Sequence, residues 1–287
     1  MDNNESINKI RILPKILMYI VLAIWSVVNI FPIYFMLTFS LKQSDEFIGR
    51  GQPMNIIGLP RVWEWKNYDV AFHTGNIFGN FLNSIIIAIA TILLTLVASL
   101  MATYAMTRIK WRGSSLMNKF FMLGLTIPLH AALLPVFLMM TKIGLVNMRL
   151  ALIIPYAAFS LSMGIMISGG FMEDIPKDLD EAAKIDGCGV WGTFGRIIAP
   201  LMKPAISTVA IYTFLQCWNE FMFASVLYNS GKGTTLPVGV NALFGRYNQD
   251  YGVIGASLVL ATMPMLVIYG IFSKNIQDSF IAGAVKG

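Results

Sequence analysis

Six stretches of apolar sequence recur along this chain of 287 residues, and the segments between them carry nearly all of its charge. The runs lie near 16–40, 81–106, 118–141, 150–171, 205–229 and 251–273. A membrane-spanning helix needs about 20 predominantly apolar residues to cross a hydrocarbon core of about 30 Å, and each run meets that length. Most are apolar around their whole circumference, unlike the helices that lie on a water-facing surface. The pattern predicts an all-α fold, a polytopic bundle of six transmembrane helices. Six such helices in water would demand far more polar sequence to cover them.

Composition agrees. The chain is 56% hydrophobic and 13% charged, with a mean hydropathy of +0.66, against about 25% charged residues in a soluble domain. The net charge of +6 does not point to nucleic acid, because the basic residues stand at the ends of the apolar runs, where they set membrane orientation. Lys9, Arg11 and Lys15 precede the first run, which is too long for a signal-peptide core and has no small-x-small site before its end. It is expected to be retained as a first span. Cys188 and Cys217 are too few for a disulfide framework and match no metal-ligand spacing.

Six spans place both termini on one side. That side would hold 13 of the Lys and Arg residues, grouped in the N-terminus, 107–119, 173–204 and the C-terminus, against 8 on the other. The excess predicts that the termini and the 173–204 segment face the cytoplasm. On the opposite side, residues 42–80 carry Trp63, Trp65, Tyr68 and Phe72 among mixed charges. Two readings stand equally there: a small docking surface, or an interfacial segment anchored by aromatics. The 230–250 loop is polar and Gly-rich; its Gly-Lys-Gly at 231–233 is not a phosphate-binding loop, since no Ser or Thr follows Lys232.

Catalytic patterns are missing: no nucleotide-binding loop, HExxH, GxSxG or dinucleotide fingerprint occurs. His130, between Pro128 and Pro135, reads as a structural histidine ahead of a proton relay. An acidic residue at a span centre costs about 2.5–3.5 kcal/mol on insertion scales, and Glu220 is the one that stands inside a run. With Gln216, Trp218 and Asn219 it marks either a translocation path or a set of interhelical hydrogen bonds. These absences favour a transport or channel role over an intramembrane enzyme, with energy borrowed from a partner. A stand-alone channel or sensory protein is the alternative.

The 173–204 segment, EDIPKDLDEAAKIDGCGVWGTFGRIIAPLMKP, is dense in charge. Pro176 suits a first turn, and Asp174, Asp178, Asp180 and Glu181 suit the positive end of a helix dipole. Lys177–Glu181 and Asp180–Lys184 are i,i+4 pairs, and Gly187 offers a left-handed cap. A helix from about 176 to 186 would be roughly 15 Å long. Leu179, Ala182, Ala183 and Asp186 would share a shallow face open to another backbone. Val190, Trp191, Phe194, Ile197 and Ile198 recur at helical spacing and would pack back on the bundle. The acidic first part disfavours an anionic lipid surface and favours a protein partner.

The spacing Glu181-Ala182-Ala183, Gly187, Ile197, Pro200 resembles the EAA loop of permease subunits of binding-protein-dependent ABC importers. The fuller IPKDLDEAAKIDG is similar to the carbohydrate-uptake branch, in particular the smaller, maltose-type permease, and the likeness extends through TIPLHAALLPVFLMMTKIGLVN, WNEF, TTLPVGV and the terminal IAGAVKG. Two departures are Ala199, where relatives often have Leu, and ISGGF at 167–171, where they carry a polar or basic residue before the Phe. The resemblance implies a type I ABC importer fold, with 1–15 a cytoplasmic N-terminus, 16–40 the first transmembrane helix, 77–272 the permease domain and 273–287 a cytoplasmic tail. It implies a bacterial or archaeal cell-membrane protein that works as a heterodimer with a homologous permease, two cytoplasmic ATPase subunits and an extracytoplasmic sugar-binding protein. The 230–250 loop is similar to one that contacts that binding protein. No cofactor belongs to this chain on that reading; Mg-ATP sits on the partner. Glu181, Ala182, Ala183, Asp186, Gly187, Phe194, Ile197 and Pro200 would couple to the ATPase, and Gly283, Ala284, Val285 and Lys286 would reach its interface. Gln216, Trp218, Asn219 and Glu220 remain the candidates for the path.

Overall fold

A computed structural model describes residues 3–49, 52–73, 76–109, 111–229, 233–246 and 250–284, with side chains from 14 to 244 and 250 to 271 within those ranges. The helices in chain order are α1 (Asn3–Ser40), α2 (Asp45–Ile48), α3 (Lys66–His73), α4 (Ile77–Thr107), α5 (Ser114–Leu123), α6 (Leu133–Lys142) and α7 (Leu150–Glu173). They continue as α8 (Asp178–Ile185), α9 (Val190–Thr193), α10 (Ala199–Leu201), α11 (Lys203–Asn219), α12 (Met222–Leu227), α13 (Leu236–Arg246) and α14 (Tyr251–Ala284). Among the described residues, four continuous stretches are long and apolar enough to cross a membrane: Pro14–Ser40, Ile77–Thr107, Leu150–Glu173 and Tyr251–Ile271.

The other two expected spans are not straight helices. Ser114–Thr126 and Leu129–Lys142 meet at 96°, because Ile127 and Pro128 are extended, with ψ of 115° and 123°. A residue before proline is pushed out of the helical region, and proline itself has no N–H to continue the ladder. The run near 205–229 is broken in two ways. Val190–Leu201 joins Lys203–Asn219 at 76°, and Glu220 then stops α11 with an extended ψ of 126° before α12 begins.

The chain divides into two compact units. The first comprises 1–75 and 243–260. Here α1 carries a ladder of rings at every fourth position, Phe31, Phe35 and Phe39, extended by Phe47 at 4.5 Å from Phe39. The end of α1 is closed by side chains: Asn67 Nδ2 donates to the carbonyls of Ser40 and Lys42 at 2.9 Å, and Ser40 Oγ meets Tyr68 OH at 2.7 Å. The start of α14 approaches this end very closely. A Cβ on Gly255 would lie 2.9 Å from the Ser40 backbone, and one on Gly252 would lie 2.4 Å from the Lys42 carbonyl oxygen.

Lys42 is fully buried. Its Nζ donates to the carbonyls of Asn55 and Ile56 at 2.8 Å each and lies 5.8 Å from the Phe47 ring centroid. Glu46 beside it accepts from Asn55 Nδ2 at 2.7 Å and from the Arg61 backbone N–H. Burial lowers the Lys42 pKa from its usual 10.5, with the Glu46 charge acting in the opposite direction. The described residues 42–49 and 52–65 are therefore folded against one another rather than an open loop, with Trp63 and Trp65 left exposed.

The second unit comprises 76–242 and 261–287, and its centre is α4 packed along α7 and α11. The buried stripe of α4 is rich in small and polar residues, Ser84, Ala88, Thr91, Thr95, Ser99 and Thr103, set among Ile87, Leu100 and Tyr104. A water-soluble helix would bury a more uniformly apolar face. In lipid there is no hydrophobic gain from pairing apolar faces, so helices associate where small side chains let backbones close in. Gly164 of α7 marks a close crossing, since a Cβ there would stand 3.0 Å from Ser99 and 3.4 Å from Val209.

Candidate functional site

Two places in the second unit hold the residues singled out by the sequence. The first is the connection between α7 and α11. Helix α8 has Asp178, Asp180 and Glu181 in its first turn and Lys184 in its last, the order that suits its dipole. It starts two residues after Pro176 and spans eight residues, about 12 Å at 1.5 Å per residue. Gly187 ends it at φ +79°, with Cys188 N–H donating to the Ala183 carbonyl at 2.8 Å and Gly187 N–H to the Lys184 carbonyl at 3.1 Å. This reciprocal pair needs a left-handed residue at Gly187, a conformation that costs any L side chain.

Of the four residues expected to share an open face, Leu179, Ala182, Ala183 and Asp186, one lies elsewhere. Ala183 turns inward with Asp180, whereas Leu179, Glu181, Ala182, Ile185 and Asp186 are exposed, Ile185 to 87%. Asp180 does not pair with Lys184 on the surface. Its Oδ2 accepts from Arg108 Nη1 at 2.9 Å, and its Oδ1 accepts from Tyr104 OH at 3.4 Å. The same guanidinium donates through Nη2 to the carbonyls of Met172 at 2.6 Å and Ile175 at 2.5 Å. Arg108 thus joins the end of α4, the end of α7 and the inner face of α8, and its side chain is only 4% exposed. Sequence reasoning counted Arg108 as an orienting surface charge and missed this role. The available signal was its place directly after an apolar span.

Beyond Gly187, Phe194 and Ile197 pack against a core of Leu100, Tyr104, Met172, Ile198, Met202 and Ala205. The Phe194 ring lies 5.2 Å from that of Tyr104. Val190 and Trp191, expected on the same stripe, are exposed instead. The wide π-turn over Phe194–Ile198 shifts the helical register, so a 3.6-residue period does not carry through it. Pro200 is exposed within α10. The glycines of the ISGGF departure have open space where Cβ atoms would stand, and Phe171 joins the core. Val285 and Lys286 lie outside the described residues; Gly283 and Ala284 form the last turn of α14.

The second place is the break at Glu220, which is 8% exposed. Its Oε1 accepts from the Phe223 N–H at 2.8 Å, and its Oε2 accepts from the Ala224 N–H at 3.0 Å and from the Tyr156 hydroxyl of α7. The carboxylate therefore supplies what a preceding helical turn would have given the first amides of α12. A cavity of about 190 Å³ opens beside it, lined by Tyr156, Ser160, Tyr212, Gln216, Glu220 and the bend at 124–129. Both interruptions, in the 114–142 pair and after α11, border this one space.

The four path candidates separate. Gln216 and Glu220 line the cavity, with Gln216 Nε2 donating to Tyr212 OH at 2.8 Å. Trp218 is buried away from it, stacked 5.2 Å from Phe214, with its indole N–H donating to the Ala261 carbonyl at 3.1 Å. Asn219 is exposed and bonds the Leu215 carbonyl at 2.9 Å. Tyr156 and Tyr212 were not anticipated, since nothing local sets a membrane tyrosine apart.

The loop before α13 is also tied in. Asn83 receives Arg149 Nε and Nη2 at 3.1 and 2.8 Å and donates to the Thr234 carbonyl at 3.1 Å, while Leu236 N–H bonds Ser84 Oγ at 2.8 Å. Residues 230–232 and 247–249 of this loop lie outside the described ones.

A multi-pass helical bundle with broken helices around a cavity that mixes apolar and polar groups, and a short charged helix held at one end, belongs to the membrane components of transport systems. The chain is a member of the family of binding-protein-dependent transport system inner membrane components, whose model matches residues 95–281. It is 38% identical to an ABC transporter permease protein from Caldicellulosiruptor sp. (strain Rt8B.4), over 94% of this chain and 96% of that one. It is 34% identical to the trehalose/maltose transport system permease of Thermococcus litoralis, covering 96% of this chain and 99% of that one. Its fold is shared with a crystal structure of a bacterial ABC transporter involved in the import of the acidic polysaccharide alginate, at a TM-score of 0.80 and 20% identity, covering 96% of this chain and 98% of that chain. The chain is a transport permease and not a hydrolase, and it crosses the membrane several times.

Proposed function

We propose that this chain is the smaller of two homologous permease subunits in an importer of a carbohydrate, in particular an oligosaccharide, and forms half of its pathway. The pattern of basic residues puts the termini and α8 in the cytoplasm. There α8 serves as the coupling helix for an ATPase pair that binds Mg-ATP, which this chain does not. Residues 77–272 form the permease domain, and the tail from 273 runs toward the ATPases. A sugar-loaded binding protein docks on the opposite side and contacts the 230–250 loop.

The observation that carries this reading is the outer face of α8. Glu181, Ala182 and Asp186 are exposed between a buried inner face and the Gly187 stop, so a short helix is presented on a fixed base with acidic and apolar side chains outward. The likeness to a trehalose/maltose permease supports a sugar cargo. The cavity supports it too, since tyrosine rings with hydroxyl, amide and carboxylate groups suit a hydroxyl-rich ligand.

The test is uptake of labelled oligosaccharide into proteoliposomes holding the complete importer. Glu181→Lys and Gly187→Pro should abolish uptake and reduce co-purification of the ATPase while membrane insertion is unchanged. Normal transport by both variants would refute the coupling assignment, and conduction by this chain reconstituted alone would favour a channel.

A further inference from the structure

The covalent connections of α8 are ill suited to passing on its movement. On one side lies the 174–177 turn with Pro176; on the other lie Gly187 at φ +79°, Gly189 and the 76° bend before α11. Something through space must join α8 to the spanning helices. Its inner face offers two buried residues, Asp180 and Ala183, and Asp180 is the one able to grip.

We propose that Arg108 and Asp180 are positioning residues that transmit the movement of α8 directly into α4. This rests on the reading of α8 as the ATPase-driven helix. The fork of Arg108 is fixed on three points: Asp180 at 2.9 Å and the carbonyls of Met172 and Ile175 at 2.6 and 2.5 Å. Arg108 directly follows the last residue of α4, and its N–H closes that helix on the Tyr104 carbonyl. Tyr104, one turn back, adds a hydroxyl to the same carboxylate.

A planar guanidinium holding several acceptors has little freedom to slide. Neither charge can leave the other without remaining buried and unpaired, because the side chains are 4% and 12% exposed. A shift of α8 therefore drags the end of α4 with it. Since α4 packs along both α7 and α11, the pair delivers the movement into the centre of the bundle through the end of α4, without relying on the two turns that flank α8.

The test uses the full importer in proteoliposomes and reads sugar molecules transported per ATP hydrolysed. Asp180→Asn keeps the shape and removes the charge; the outer face of α8 is untouched, so ATPase co-purification should match wild type. The transported-to-hydrolysed ratio should fall roughly 10-fold, within the usual range of coupling between sites. Damage to the fold alone would lower both rates together, and an unchanged ratio would overturn the assignment. Should Asp180→Asn fail to assemble, Arg108→Lys is read in its place. It keeps a buried cation opposite Asp180 but cannot serve three acceptors in one plane, so the same drop is expected and an unchanged ratio is equally fatal. Glu181→Lys run in parallel separates the two readings: if it retains normal ATPase binding and transport, the failure lies with α8 as coupling helix and not with the clamp.

Discussion

Replacing Glu220 tests whether the break after α11 is held by one side chain. Its carboxylate serves two buried backbone amides, at 2.8 and 3.0 Å, and the Tyr156 hydroxyl. A buried donor left without a partner costs roughly 1–3 kcal/mol, and three neighbours share some relaxation. Glu220→Ala is therefore expected to destabilise the protein by about 4 kcal/mol. Glu220→Gln retains one acceptor oxygen but turns an NH2 group toward a backbone N–H, for a loss of about 1–2 kcal/mol. At roughly 2–4 °C per kcal/mol for a chain of this size, thermal unfolding in detergent should fall by about 2–8 °C for Gln and about 8–16 °C for Ala. Hydrogen exchange supplies the local readout, since the amides of Phe223 and Ala224 should lose protection before the rest of the unit. An Ala variant that melts within about 1 °C of wild type, with those amides still protected, would refute the capping argument.

Two further outcomes follow from the first unit. Gly255→Ala places a Cβ 2.9 Å from the Ser40 backbone, which cannot yield, whereas Gly270→Ala on the same helix meets nothing within 4 Å. The first should lower thermal stability by about 1–3 kcal/mol and the second should raise it slightly, as Gly→Ala does in an unobstructed helix; equal effects would contradict the close approach. For Lys42, the folded pKa lies below 10.5, so between the two values the unfolded chain binds more protons and stability rises with pH. The neutral amine still has hydrogens for both carbonyls. The melting-temperature advantage of wild type over Lys42→Met should grow as pH climbs through the window below 10.5, and a flat or falling difference would count against burial as the cause.

The spans were legible because a run of twenty apolar residues has few alternatives, and the short charged helix because caps and dipoles are local. What escaped were features set by distant partners. The 114–142 run looks continuous, and only Pro128 hints that it bends by 96°. The burial of Asp180 escaped because a local partner, Lys184, stands four residues on, whereas Arg108, which holds it, lies 72 positions earlier. Val190 and Trp191 fell out of register through a π-turn that leaves no mark in composition. The stripe from Ser84 to Thr103 was present all along, hidden by the assumption that buried faces are the greasy ones.

The cavity divides its labour between residues. Glu220 commits its oxygens to Phe223, Ala224 and Tyr156, and so maintains the architecture of the break. Gln216 and Tyr212 face the same space with the Gln216 amide donating to the Tyr212 hydroxyl, from a helix whose backbone does not depend on them. On the reading of this cavity as the path, the cargo can change by drift at the second pair while the first stays constant. Diversification within the family then needs no new scaffold, only exchanges at positions that the scaffold does not use.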